Sequence, residues 1–89
     1  MSTSGQAKID FPVDWRFRII VEADRSDEAV PQIQAVLAAA GKLPHLMPGR
    51  SSSGGRYIIW EIETRLMDRR ELEDLPARLC AVPGVKTVL

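Results

Sequence analysis

The chain has 89 residues, which is the size of one domain that can bury a hydrophobic core. Its twelve Lys and Arg residues balance twelve Asp and Glu residues. It therefore lacks the positive surplus that drives binding to phosphate backbones, and nucleic acid is a disfavoured partner. No apolar run approaches the ~20 residues of a membrane span, so we expect no membrane contact.

Cys80 is the only cysteine, which excludes an internal disulfide and a zinc site built from several cysteines. A single reduced thiol fits a cytoplasmic protein, and we expect that location. The first eight residues are small and polar and lack the apolar stretch of a signal peptide. We expect a disordered tail over residues 1–10 and one domain over residues 11–89.

The first predicted element is a strand, because apolar and other residues alternate from Trp15 to Val21. Phe11-Pro12 lies just ahead of it, and the residue before a proline is pushed towards extended conformations. The strand is therefore expected to begin near residue 14. One face should carry Trp15, Phe17, Ile19 and Val21, and the other Arg16, Arg18, Ile20 and Glu22.

A helix is predicted from about Asp27 to Ala40, with Ser26 or Asp27 as its N-terminal cap. Apolar residues recur at helical spacing, and Gly41 stands where a left-handed residue commonly ends a helix. Pro31 should lie in the first turn, where its missing N–H matters least. The apolar stripe consists of Val30, Ile33, Leu37 and Ala40.

Two prolines place the second strand, about Pro44 to Arg50, at an edge of the sheet. Gly54 and Gly55 supply the positive-φ positions that a tight reversal needs. A third strand, Arg56 to Thr64, is rich in aromatic and β-branched residues. Its buried face should consist of Ile58, Trp60 and Ile62.

The second helix should begin after the Asp-x-x-Glu sequence of Asp68 to Glu71, which is typical of a helix cap. Pro76 falls inside the helix, so we expect a kink or a break there. A last strand covers Val85 to Leu89. The apolar stripe of the second helix is Leu72, Leu75 and Leu79.

The element order β-α-β-β-α-β predicts the fold class. Right-handed crossovers on both halves give an α+β, ferredoxin-like sandwich: an antiparallel sheet in the order 4-1-3-2 with both helices on one face. The proline-containing second strand then lies at an edge of the sheet, as its composition requires.

Several short sequence pieces occur in a familiar order. These are Phe11-Pro12 with Trp15-Arg16-Phe17-Arg18, then Ser52-Ser53-Gly54 with Tyr57, and finally Val85-Lys86-Thr87-Val88-Leu89. Over residues 11–89 the chain resembles the YbeD-like family of small bacterial proteins, also called lipoate regulatory proteins. The resemblance implies a ferredoxin-like fold similar to ACT-type regulatory domains. It suggests a role in regulating lipoate metabolism and brings no established catalytic residue.

The sheet face away from the helices is the predicted interaction surface. Its two arginines can face Glu61 and Glu63 across the central strands, where such pairs stabilise by ~0.2–1 kcal/mol each. A solvated, charged face is one interpretation. The other is a contact with a protein partner or a second copy, because the face also carries apolar side chains. The candidate interface is Arg16, Arg18, Ile20, Tyr57, Ile59 and Val88.

A nucleic-acid-binding module of the same topology is the alternative, since RNA-recognition domains stack bases on aromatic residues of the central strands. Here only Tyr57 projects from the outer face. Arg16 and Arg18 stand where an aromatic residue is expected, and Glu61 and Glu63 repel phosphate. The sequence therefore favours a protein contact or a small-molecule effector over RNA.

The serine- and glycine-rich turn is a candidate anion site, because hydroxyls, backbone amides and two guanidinium groups lie close in sequence. It lacks the Gly-Lys-Ser/Thr of a phosphate loop, and no helix follows it. A flexible hairpin tip is the competing interpretation. The residues concerned are Arg50, Ser51, Ser52, Ser53, Gly54 and Arg56.

No pattern of catalytic residues stands out. His45 should be exposed on the edge strand, and Cys80 should lie in the core late in helix two. A nucleophile and base pair would require these two residues to meet in space. We expect a non-enzymatic regulatory or adaptor domain without a cofactor.

Overall fold

A four-stranded antiparallel sheet with both helices on one face forms the molecule over the residues that the computed structural model describes, 10–51 and 53–89. The sheet order β2-β3-β1-β4 is the predicted 4-1-3-2 arrangement. The elements are β1 (Val13–Glu22), α1 (Ser26–Ala39), β2 (Met47–Ser51), β3 (Tyr57–Leu66), α2 (Arg69–Cys80) and β4 (Val85–Val88).

The central strands β1 and β3 have ten residues each and pair along their full length, from Val13 opposite Leu66 to Glu22 opposite Tyr57. β1 begins one residue before its predicted start, and β3 runs two residues past its predicted end at Thr64. Since successive side chains point to opposite faces, this register selects one set for the core. The buried apolar members are Phe17, Ile19, Val21, Ile62 and Leu66, and Thr64 is buried among them.

The helices cover this face with their own apolar stripes. Ala29, Ile33 and Leu37 of α1, and Leu75 and Leu79 of α2, are all buried against the sheet. Removing a buried leucine or isoleucine side chain from such a core typically costs about 2–5 kcal/mol. The sandwich is therefore stabilised chiefly by the packing of two helical stripes on the inner face of the sheet.

Ser26 does not cap α1, contrary to one predicted role. A 3₁₀ turn, Ala23–Arg25, precedes the helix, and Arg25 at the cap position makes no capping bond with its side chain. Ser26 is instead a buried first residue whose Oγ accepts a hydrogen bond of 3.3 Å from the indole N–H of Trp60. The bond ties the start of α1 to β3.

Both helical prolines lie inside continuous helices. Pro31 falls in the second turn of α1, later than predicted, and α2 continues without a break from Arg69 to Cys80 through Pro76. The predicted break is therefore wrong. Each proline removes one helical hydrogen bond, and the packing of the buried stripe holds the helix in spite of that loss.

The start of α2 is fixed by a network around Glu71. Asp68 Oδ1 accepts the Glu71 N–H at 3.0 Å, which confirms the predicted cap. Glu71 Oε1 accepts the Met67 N–H at 2.8 Å and a bond of 2.7 Å from Lys42 Nζ. Lys42 Nζ also donates to the Arg65 carbonyl at 2.8 Å. The network joins the end of α1, the end of β3 and α2.

Gly84 is a position where the backbone requires glycine. Its φ is +95°, and a Cβ there would lie 3.1 Å from Cβ of Arg25 and 3.4 Å from Cβ of Ala29. Gly41 has a similar φ of +76°, with no atom within 4 Å of the same position. Both glycines have left-handed backbone, but a Cβ is crowded by other atoms only at Gly84. Substitutions at the two positions therefore distinguish the cost of backbone strain from the cost of crowding.

We expect Gly84→Ala to lower the free energy of unfolding by about 1–3 kcal/mol more than Gly41→Ala, because only the first change overpacks a junction. Both changes carry the cost of left-handed backbone, about 1–2 kcal/mol. Urea unfolding followed by circular dichroism measures the difference. Equal losses in the two variants would show that the junction at Gly84 is not tightly packed.

The network at Glu71 predicts a pH dependence. The hydrogen bond from Lys42, and secondly that from Met67, hold the pKa of Glu71 below its ordinary value. A carboxyl whose pKa is lowered in the folded state stabilises that state above its unfolded pKa of about 4.3, and the contribution is lost as pH falls through the lowered value.

The free energy of unfolding should therefore fall more steeply below about pH 5 in the wild type than in Glu71→Gln. Urea titrations at a series of pH values measure this. Glu73→Gln is the matched control, since Glu73 lies on the same helix, is exposed and forms no ion pair in the described part of the chain. Parallel pH curves for wild type and Glu71→Gln would contradict the expectation.

Candidate functional site: the outer face of the sheet

The sheet face opposite the helices is built from side chains that alternate with the core residues of β1 and β3. We call it the outer face. The register places its central side chains in five cross-strand pairs. These pairs are Asp14–Arg65, Arg16–Glu63, Arg18–Glu61, Ile20–Ile59 and Glu22–Tyr57.

Three consecutive pairs carry opposite charges and form what we call the charged ladder: Asp14–Arg65, Arg16–Glu63 and Arg18–Glu61. The Arg16 guanidinium donates a hydrogen bond to Glu63, which raises the pKa of Arg16, and Glu61 lies 3.7 Å away. Arg65 Nε lies 3.3 Å from Asp14 Oδ1. The predicted alignment of two arginines with two glutamates is confirmed.

Arg18 differs from the other members of the charged ladder. It faces Glu61 in the register, yet its side chain forms no ion pair within residues 10–51 and 53–89, because the Glu61 carboxylate lies towards Arg16. Arg18 is exposed. A guanidinium with five fixed donors is thus available on the outer face.

The other end of the outer face is apolar. Ile20 and Ile59 lie opposite one another, and both are half-buried. Tyr57, two residues from Ile59 on β3, is half-buried as well, and Met47 of the edge strand is 39% exposed opposite Glu61. The structure therefore brings five of the six predicted interface residues together: Arg16, Arg18, Ile20, Tyr57 and Ile59.

Val88 was placed wrongly on the outer face. It pairs with Ile19, a core residue, and packs against the core from the helix side. The register shifts between Ile20 and Val21, so that Val85 opposes Val21 and Thr87 opposes Ile20. The shift breaks the simple alternation that assigned Val88 outward, and Thr87 takes its place on the outer face.

The serine- and glycine-rich turn is described only in part. Ser52 lies outside the described residues, whereas Gly54 and Gly55 have φ values of 84° and 71° and confirm the predicted positive-φ positions. Arg50 and Arg56 are exposed. Anion binding at this turn stays a prediction.

Arg56 borders a shallow depression of about 300 Å³ at the end of β1 and β3. Glu22 and Asp24 line the same depression, together with Tyr57. A ligand there would meet two carboxylates and one guanidinium. That mixture suits a small molecule with both charges better than a simple anion.

The two side chains considered for catalysis are both at the surface. His45 is exposed, as predicted, in the segment before β2. Cys80 is exposed, contrary to the prediction, because the helix turns it away from buried Leu79. In the described part of the chain, no group of three or more His, Cys, Asp or Glu side chains could hold a metal ion.

None of the helices that the structure describes combines the length and the apolar character needed to cross a membrane. Two apolar side chains are nevertheless well exposed near the end of β3. Leu43 is 81% exposed and Met67 is 55% exposed, and together they border a cleft of about 340 Å³ beside Lys42. Sequence reasoning missed this cleft, because the residues come from two separate loops.

The fold and the outer face define a small ferredoxin-like α+β domain whose two described helices leave one sheet face uncovered. Residues 6–89 match the sequence profile of DUF493, a protein family of unknown function, and the chain belongs to this family. A comparison with proteins of curated function gives no match.

Two solved structures share the fold. The solution structure of protein HP0495 from H. pylori matches with a TM-score of 0.76 at 15% identity, covering 97% of this chain and 90% of that chain. The C-terminal domain of the MgtC protein from Mycobacterium tuberculosis matches with a TM-score of 0.66 at 19% identity, covering 92% and 89%. These likenesses confirm the predicted ferredoxin-like fold.

The exposure of Cys80 predicts ready modification. In native protein, a small disulfide reagent should titrate one thiol readily, since the Cys80 side chain is exposed. Absorbance of the released reagent thiolate measures the rate. Leu79→Cys in a Cys80→Ser background provides a buried control that should react far more slowly. Protection of native Cys80 to the same degree as this control would contradict the placement.

Proposed function

We propose that the protein is a non-enzymatic regulatory or adaptor domain that acts through the outer face of its sheet. The main support is the cluster of Ile20, Tyr57 and Ile59 beside the charged ladder, on a face that no described element covers. Apolar side chains contribute binding energy through burial, and a neighbouring charge pattern gives a partner its orientation.

The chemistry of the face supports binding rather than catalysis. Glu61 and Glu63 both lie beside the Arg16 guanidinium. These carboxylates form ion pairs within the sheet, and such a charge pattern can orient a bound partner. A protein contact uses the same groups without any need for proton transfer.

Sensing of a small molecule is the second version of this role. It is supported by the resemblance to ACT-type regulatory domains and by the depression lined by Glu22, Asp24 and Arg56. The resemblance to lipoate regulatory proteins makes lipoate metabolism in a bacterial cytoplasm the first pathway to test.

Nucleic-acid binding is the competing class. On the outer face, Tyr57 is the single aromatic residue of the central strands, and Glu61 and Glu63 follow on the same face of β3 beyond Ile59. Stacking platforms for single strands combine several aromatics with a positive groove. A titration with labelled single-stranded RNA at moderate salt separates the classes, and tight binding would favour the nucleic-acid role.

A photo-crosslinking amino acid at Ile59 tests the proposal in cells of the source organism. We expect ultraviolet light to produce a discrete crosslinked species that mass spectrometry identifies as a protein. The species should weaken when Arg18→Glu is added, because the partner is oriented by the neighbouring charges. The same amino acid at Gln32, exposed on α1, is the matched control. Equal crosslinking from both positions, or no crosslinking from Ile59, would contradict the proposal.

A further inference from the structure

The charge order of the outer face is complementary to itself. From Asp14 onwards, β1 presents a negative, two positive and an apolar side chain, namely Asp14, Arg16, Arg18 and Ile20. The opposing positions on β3 present a positive, two negative and an apolar side chain, namely Arg65, Glu63, Glu61 and Ile59. Over these four pairs each strand is thus the charge complement of the other, and the fifth pair sets the Glu22 carboxylate opposite the neutral Tyr57 ring.

This order selects one symmetric way of stacking two copies. A two-fold axis parallel to the strands and midway between β1 and β3 sets β1 of one copy over β3 of the other at the same level. Each cross-strand pair of one copy then faces the same pair of the other copy with its two residues exchanged, so that Arg18 lies over Glu61. An axis across the strands sets β1 over β1 instead and brings guanidinium groups together, which is unfavourable.

We infer that two copies of this chain associate through their outer faces about the axis parallel to the strands. The inference rests on the proposed function, because it names the partner that the outer face binds. Isologous contacts of this kind use one patch twice, so each favourable pair occurs two times. Arg18 of each copy meets Glu61 of the second copy, and the two Ile20–Ile59 pairs meet at the apolar end.

The geometry of Arg18 supports this arrangement. Among residues 10–51 and 53–89 Arg18 has no ion pair, while the Glu61 side chain is 24% exposed and lies 3.7 Å from Arg16. A second copy supplies Arg18 with a carboxylate without breaking the existing contact, because a carboxylate accepts several hydrogen bonds. Both long side chains can reach across the ~10 Å that separates stacked sheets.

The size of the face limits the strength of the dimer. Central strands of ten residues and a width of four strands offer at most about 600 Å² per copy. Stable interfaces bury about 800 Å² per partner. Stacked sheets also cross at about 30°, so the middle pairs carry most of the contact. The dimer should therefore be weak and depend on protein concentration.

A four-residue charge swap tests the axis directly. The variant carries Arg16→Glu, Arg18→Glu, Glu61→Arg and Glu63→Arg, which keeps every cross-strand pair within the chain opposite in charge. We expect it to dimerise with itself as the wild type does. Mixed with wild type, it should associate more than about tenfold more weakly, because like charges then face each other across the interface.

Sedimentation velocity of the two chains, alone and mixed with one fluorescently labelled, gives the result. Homodimers without mixed dimers support the inference. Mixed dimers in the statistical proportion overturn it, as do chains that stay monomeric at high concentration. If the chain is monomeric but still crosslinks to another protein from Ile59, the inferred dimer is contradicted and the proposed function is supported. If the chain is monomeric and gives no such crosslink, both the inferred dimer and the proposed function are contradicted.

Two single-residue variants test the same inference in case the four-residue variant folds poorly. Arg18→Glu and Glu61→Arg each place like charges opposite one another in their own dimers, so each alone should be mostly monomeric. Their mixture should dimerise, since each supplies the charge that the other lacks. A mixture as monomeric as its parts overturns the inference.

Discussion

The antiparallel register between β1 and β3 is the constraint on which the rest of the molecule depends. Setting Phe17 opposite Ile62 puts one face of both strands into the core, and the same alignment sets Arg16 opposite Glu63 on the outside. A slip by one residue would turn the entire apolar set towards solvent. The burial of the inner face therefore fixes the charge order of the outer face as well.

Most of the fold follows from residue patterns. The alternation in β1, the helical stripes and the prolines of β2 lead to the element order and the sheet order, and both are confirmed. The failures have local causes. A register shift in four-residue β4 turned Val88 inward, and a short strand gives no periodicity from which such a shift can be recognised. Pro76 shows that packing holds a helix that propensity alone would break.

The residues that lie on the outer face could be predicted from the sequence, whereas the order of charges along the face was harder to predict. Arg16, Arg18, Ile20, Tyr57 and Ile59 follow from alternation alone. The full self-complementary order includes the pair Asp14–Arg65, and Arg65 lies beyond Thr64, the predicted end of β3. Strand ends depend on tertiary pairing more than on local sequence. The cleft beside Leu43 and Met67 could not be predicted because these two residues come from separate loops.

The central claim is that this member of the DUF493 family associates with a second copy of itself through the outer face of its sheet. Amide nitrogen–proton spectra recorded from dilute to concentrated protein test it most directly. The shifts of Arg18, Ile20, Ile59 and Glu61 should move together with concentration, while exposed positions on α1 and α2 stay still. Movement confined to the helices or to the β4 edge, or no movement at any concentration, would contradict the claim.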